Sequence, residues 1–359
     1  MLLHHGPRHP GKACLFALTC LFLAGCGGIV VFDSGVNEDP GQPLDPPQNA
    51  QPGDGPGAVL AISKVEMGAK DAEGYYDKDG WRTIGFNLDH DVTPIQGPGT
   101  CDPPSKDQSY AFEDGEDGID NTFAQMMGYL FLLEEDSPSH SLLGALAAGG
   151  PSVLFDLRDL GASPAYSSIA ASMYASGPLG APPKYDGTDV FPVSYESVDG
   201  SVEAPKVHFV ESYLADDGEH GTWVARATGV LPMILPLGAA NEPDRVFRLS
   251  LYNPVVSMKL SADRRHGTGI LAGRASAVMV LAEMDRFVLA SDPAFCGGTS
   301  TIESLNEGVG RGVDIRIDAQ TDPSFPCDAF SVGLRFEAEV VQLGPVNPPV
   351  AELPVPCSP

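Results

Sequence analysis

Basic residues are scarce in this chain of 359 residues: 21 Lys and Arg face 48 Asp and Glu, a formal net charge of −27. No cluster of Lys or Arg is present to neutralise phosphates, which argues against a nucleic-acid partner. Several catalytic signatures are missing as well. There is no Gly-x-Ser-x-Gly nucleophile elbow, and among the histidines beyond residue 25 (His90, His140, His208, His220 and His266) no two stand four residues apart as a zinc-protease helix requires. No C-x-x-C pair occurs, so a zinc or thioredoxin-like site has no support. Gly308-x-Gly310-x-Gly312 and Gly267-x-Gly269-x-x-x-Gly273 fit neither a P-loop nor a dinucleotide fingerprint and read as loops or bulges. No repeat of 20–50 residues recurs, which excludes propellers and solenoids. Tryptophan occurs only twice, at Trp81 and Trp223, and residues of that size belong in a core more often than on a sugar platform. What remains is 43% hydrophobic, with 41 Gly and 33 Pro, the composition of a folded body with many turns.

The amino end reads as an address. Arg8 and Lys12 precede an uncharged apolar run, Ala13–Gly25, that ends at Cys26. Thirteen helical residues rise about 20 Å, short of a ~30 Å hydrocarbon core, which is the layout of a secretory signal. The alternative, a signal anchor, takes the run on to Phe32. Leu23-Ala24-Gly25-Cys26 resembles the lipobox of bacterial lipoproteins. That resemblance implies cleavage before Cys26, a diacylglycerol on its sulfur and acylation of the new amine. Several chains on one residue exceed what stable anchoring requires. Gly27 in place of Asp implies the outer membrane of a bacterial cell envelope rather than inner-membrane retention.

The expected organisation is a signal over 1–25, a Pro/Gly/Asp-rich tether over 26–57, a globular domain over 58–344 and a Pro-rich tail over 345–359. The tether has six prolines in Asp33–Gly57 and almost no large apolar side chain. In the domain, Phe330–Val341 alternates apolar and polar residues with a period of two, the mark of a strand with one buried face. Val153–Leu157, Val246–Leu251 and Val255–Leu260 read as further strands, and Lys206–Leu214 with Thr222–Ala227 as a hairpin. Helical spacing is confined to Thr122–Leu133, Ser141–Ala148 and Ser276–Met284. The predicted fold class is therefore mainly β, a single β-sandwich or jelly-roll-like domain with a few short helices.

Four cysteines lie beyond the signal: Cys101, Cys296, Cys327 and Cys357. An even number in an exported protein implies two disulfides, with three possible connectivities. Cys296–Cys327 with Cys101–Cys357 is the expected pairing, the latter pinning a tail that holds six prolines in 15 residues.

Two acidic segments are the candidate metal site. One contains Asn87-Leu88-Asp89-His90-Asp91, and the other runs from Glu113 to Asn121. Asp89, Asp114, Asp117, Asp120 and Asn121 offer the hard oxygen donors calcium takes in sixes to eights, with glycines to curl the chain. The order is not that of an EF-hand: Gly115 and Ala124 fall where carboxylates belong. The competing reading is a solvated acidic loop in which Asp120 or Asn121 caps the helix starting near Thr122.

Gly80-Trp81, Gly85-Phe86-Asn87-Leu88-Asp89, Cys101, Asp117-Gly118-Ile119-Asp120-Asn121-x-Phe123 and Pro326-Cys327-Asp328-Ala329-Phe330-Ser331-Val332-Gly333 together resemble a family of uncharacterised lipoproteins of myxobacterial type. The resemblance implies export, lipidation and the cysteine pairing, and carries no catalytic residue. The expected function is an envelope-anchored binding or structural module, held to the membrane by its lipid, with a glycan or an envelope protein as partner. A glycosidase-like hydrolase using paired carboxylates is the alternative.

Overall fold

The computed structural model describes residues 41–68, 77–93, 99–103, 113–131, 138–236, 246–291 and 300–348. The expected signal over 1–25, Cys26, Cys296, Cys357 and most of residues 345–359 lie outside these residues. Among the described residues no helix is long and apolar enough to cross a membrane.

Among the described residues nine strands form the fold: β1 Ala58–Glu66, β2 Val153–Leu157, β3 Ala171–Ala175, β4 Val190–Val193, β5 Val207–Ala215, β6 Thr222–Pro236, β7 Val246–Leu260, β8 His266–Ser276 and β9 Ala329–Val346. Four helices accompany them: α1 Thr122–Phe131, α2 Pro138–Ala147, α3 Ala277–Ser291 and α4 Ser300–Gly310. The mainly-β, single-domain expectation holds, but the strands make one sheet and not two packed layers. The order is β3-β2-β1-β9-β8-β7-β6-β5, antiparallel throughout, with β4 added in parallel to the end of β9. The sheet curls until its edges meet. Tyr166 and Leu214 exchange backbone hydrogen bonds of 2.9 and 3.0 Å, and Ile169 N–H donates to Ser212 O at 2.8 Å. Because residues 166–169 lead straight into β3, these bonds close the sheet on β5 as a barrel.

The inner face is filled. Phe155 on β2 lies 5.5 Å from Trp223 on β6 and 5.3 Å from Phe336 on β9, ring to ring across the interior. Each such side chain contributes about 1.5–3 kcal/mol by leaving water. The glycines of β8 make room for this. A Cβ on Gly269 would stand 2.1 Å from Ser257 O and 2.9 Å from the Phe336 ring. The Gly267–Gly273 run is thus strand, not loop: small inward residues on one strand accommodate large ones on its neighbours. At one end, Phe123 and Met127 of α1, Leu146 of α2, and Val280 and Met284 of α3 join the same core.

The outer face is covered in three places, one of them by Leu44 against Tyr213, Ala215 and Val224. Phe191 and Val193 of β4 pack on Ala61, Leu154 and Tyr174. Phe86, Leu88 and Ile315 pack on Val255, Ala272 and Ala329.

Residues 41–57 correct the tether boundary, since they lie hydrogen-bonded along the barrel. Gly53 N–H donates to Ser168 O at 2.8 Å, Tyr166 Oη to Asp54 Oδ1 at 2.8 Å and Tyr213 Oη to Leu44 O at 2.6 Å. Prolines stiffen the segment beforehand, so docking it costs less chain entropy than its polar composition suggests. Gly55 has no space for a side chain, with Gly161 Cα 2.2 Å from the place of a Cβ.

The disulfide expectation is also corrected. Cys101 is bonded to Cys327, with Cα atoms 5.1 Å apart. Their segments run side by side, Asp102 N–H donating to Phe325 O at 2.7 Å and Cys327 N–H to Asp102 O at 2.9 Å. That pairing excludes both expected bridges, Cys296–Cys327 and Cys101–Cys357.

Candidate functional site: an acidic knot and an open seam

The motifs of the resemblance, scattered over some 250 residues, come together around the free edge of β9, some of their side chains in the core and others on the outer face. β1 ends opposite Arg335, leaving the edge of β9 free from Ala329 to Leu334. The loop before α1 takes that edge. Asn121 Oδ1 accepts from Gly333 N–H at 2.9 Å, and its Nδ2 donates to Gly333 O at 3.2 Å and to Ile84 O at 2.7 Å. The same Oδ1 accepts from Ala124 N–H at 3.3 Å, so Asn121 caps α1 as well. Every polar atom of Asn121 is thereby used, and it has no oxygen left for a metal ion.

Asp314 sits further along the same edge of β9, where the next residue, Ile315, pairs with Ala329. It accepts from Ser331 N–H (2.9 Å), Ser331 Oγ (2.5 Å) and Thr122 Oγ1 (2.8 Å). Burial pushes its carboxyl up to about 6 despite these donors.

Asp120 is buried and pairs in the backbone with Phe86, and its Oδ2 accepts from Leu88 N–H at 2.6 Å. Asp89 is buried too, accepting from Asp91 N–H (3.0 Å) and Thr100 Oγ1 (2.6 Å). Asp114 Oδ2 accepts from Thr93 N–H. Burial and the surrounding aspartates raise Asp114 to about 8 and hold Asp120 well above the usual carboxylate range. The cation set against this group is Arg274 of β8, buried, with Nη2 on Leu88 O. Burial lowers its pKa, while Asp120, Asp89 and Asp314 raise it.

Of the five residues predicted for calcium, the structure therefore gathers Asp89, Asp114 and Asp120. Asp117 lies exposed on a left-handed turn (φ 56°), and Asn121 is a cap. Asp314, Arg274 and Asn87 complete the knot; Asn87 opens the first acidic segment without being among the predicted ligands, and the acid pattern pointed to neither of the other two. Arg274 alone left a signal, as a charge inside the otherwise small and apolar stretch Ile270–Ala275. Among the described residues no three His, Cys, Asp or Glu side chains converge on a point that could hold a metal ion.

A second feature lies at the barrel seam. Above the closure at Tyr166–Ile169, β3 and β5 part and leave an open groove of about 480 Å³. Arg158, Ser168, Glu203, His208, Phe209 and Glu211 are among its lining residues. None of the knot's aspartates reaches it, so the paired-carboxylate reading gains no open cleft from them. Trp81 and Trp223, at 3% and 0% exposure, are core residues and make no sugar platform. No family model, curated protein or solved structure matches the chain.

Proposed function

We propose that the protein is an envelope lipoprotein, anchored through acylated Cys26, whose barrel serves as a binding module with the seam groove as its contact site. The observation that carries the reading is the division of space in the described residues. The barrel interior is filled with rings, whereas the seam stands open to solvent beside mixed polar groups and a half-buried phenyl ring. A groove of some hundreds of Å³ with a few polar groups is the usual form of a ligand site. Arg158, Ser168, Glu203, His208 and Glu211 provide both donors and acceptors, which suits a hydroxyl- or amide-rich chain such as an envelope glycan or an extended stretch of an envelope protein. The acidic surface repels anionic head groups, so the lipid and not the barrel would hold the protein at the membrane.

The test uses two variants of the full chain. Cys26→Ser should abolish labelling by an alkyne fatty acid and release the protein from the membrane fraction. Ala170→Trp, which places an indole in the groove from an exposed position, should lower binding to isolated envelope fragments at least tenfold with no change in melting temperature. Undiminished binding by Ala170→Trp removes the groove from the proposal, and undiminished labelling of Cys26→Ser removes the anchor.

A further inference from the structure

Independently of the seam, two buried side-chain atoms of the acidic knot have no hydrogen-bond partner, the acceptor Asn87 Oδ1 and the donor Arg274 Nε, and two of its carboxylates have an oxygen to spare. Asp120 gives one oxygen to Leu88 N–H and Asp114 gives one to Thr93 N–H. Neither Asp120 Oδ1 nor Asp114 Oδ1 meets a donor among the described residues. Asn87 is enclosed between the two acidic loops at 7% exposure. Its Nδ2 is committed to Asp91 O at 2.9 Å, and Gly118 lies so close that a Cβ there would stand 2.5 Å from that nitrogen. Its Oδ1 is buried with no hydrogen-bond partner. Exchanging the amide oxygen and nitrogen does not mend this, because the oxygen would then face the Asp91 carbonyl. A buried orphan acceptor is unfavourable, and folded proteins rarely keep one without a donor, a water or a cation against it.

We propose that Asn87 Oδ1, Asp114 Oδ1 and Asp120 Oδ1 are ligands for one calcium ion held between the two acidic loops. The donor set is all oxygen, which favours calcium or magnesium over thiophilic or imidazole-seeking metals. Two carboxylates and an amide, rather than three converging carboxylates, agree with the lack of any three-acid cluster among the described residues. Such a partial set suits calcium, whose shell is large and irregular and is readily completed by carbonyls and water, and not magnesium, which demands a compact octahedron. Arg274 supplies one positive charge against Asp89, Asp114, Asp120 and Asp314, so a divalent cation still lowers the repulsion in the knot. The set keeps two of the five residues the sequence suggested, Asp114 and Asp120: Asn87 enters, while Asp89, whose two oxygens are held by Asp91 N–H and Thr100 Oγ1, leaves together with Asp117 and Asn121.

The full chain, purified in detergent and freed of metal with chelator, would be titrated with calcium chloride and separately with magnesium chloride in a calorimeter. One calcium per chain is expected, with magnesium at least tenfold weaker. Asn87→Ala and Asp120→Asn should each weaken calcium at least tenfold, while Asp117→Asn stays within twofold of the parent. Circular dichroism establishes that each variant is folded. Should Asp120→Asn fail to fold, Asp114→Asn takes its place beside Asn87→Ala. Absence of calcium binding by the folded parent overturns the proposal, as do equal affinities for the two cations or unchanged affinity in the variants.

Discussion

Asn121 and Gly333 exchange hydrogen bonds in both directions, so a side-chain amide stands where a neighbouring strand would otherwise pair with β9. The partnership demands glycine at 333, because a Cβ there would lie 2.2 Å from Ile84 O. Asn121→Ala leaves the Gly333 and Ile84 carbonyls and the Gly333 amide without partners, at about 1–3 kcal/mol for each buried group. The variant is expected to lose about 2–5 kcal/mol in urea unfolding, and Gly333→Ala at least as much. A loss below about 1 kcal/mol for Asn121→Ala would show that the amide pair is dispensable.

The Cys101–Cys327 bridge joins residues 226 apart in sequence. A map of proteolytic peptides without reduction should contain one species linking these two cysteines. Cys101→Ser with Cys327→Ser is expected to cost about 2–5 kcal/mol. A linked peptide joining Cys101 to Cys357 would contradict the structure directly.

Tyr213 is buried, and burial raises its phenol to about 12 from an ordinary value near 10. Between those two values the unfolded chain releases a proton that the folded one keeps. Stability is therefore full below pH 10 and falls as pH rises towards 12, by about 2–3 kcal/mol from this group. Ionisation would also remove the donor to Leu44 O and so loosen residues 41–57 from the barrel. Tyr213→Phe should flatten the alkaline limb of the unfolding curve, and an unaltered limb would assign the loss to other groups.

Both tryptophans are enclosed, Trp223 with its Nε1 on Ser212 Oγ at 3.0 Å and Trp81 with its Nε1 on Lys78 O at 3.0 Å. Emission of the native protein should be blue-shifted and resistant to iodide, shifting red and becoming quenchable only on unfolding. Iodide quenching of half the native signal would place one indole at the surface.

Strands were legible where a single strand carries its own pattern. Phe330–Val341 alternates because one face meets the core, and it lies within β9. Thr122–Phe131 shows helical spacing for the same local reason. The sheet's closure was not legible, since it depends on Tyr166 meeting Leu214, and neither residue has a pattern that names its partner. Gly267, Gly269 and Gly273 read as breaks because their use lies in the Met258, Leu251 and Phe336 side chains of adjacent strands. Residues 41–57 read as solvated because their contacts run through backbone carbonyls and two tyrosine hydroxyls, which composition does not register. In the knot, the acid-rich loops announced Asp89, Asp114 and Asp120. Asp314 is a lone acid between Val313 and Ile315, nearly 200 residues further along, and only three-dimensional folding sets it beside Thr122.

The place of β9 between β1 and β8 fixes a timetable. β1–β3 and β5–β8 can each form by local pairing, yet neither half has its central neighbour until residues 329–346 have been made. At about 5–20 residues per second the stretch from the end of β8 to the end of β9 takes roughly 4–14 s, during which two sheet edges and the aromatic interior lack cover. A barrel sealed by β9 cannot close before that strand is made, so its two halves must wait as open sheets with their apolar faces uncovered.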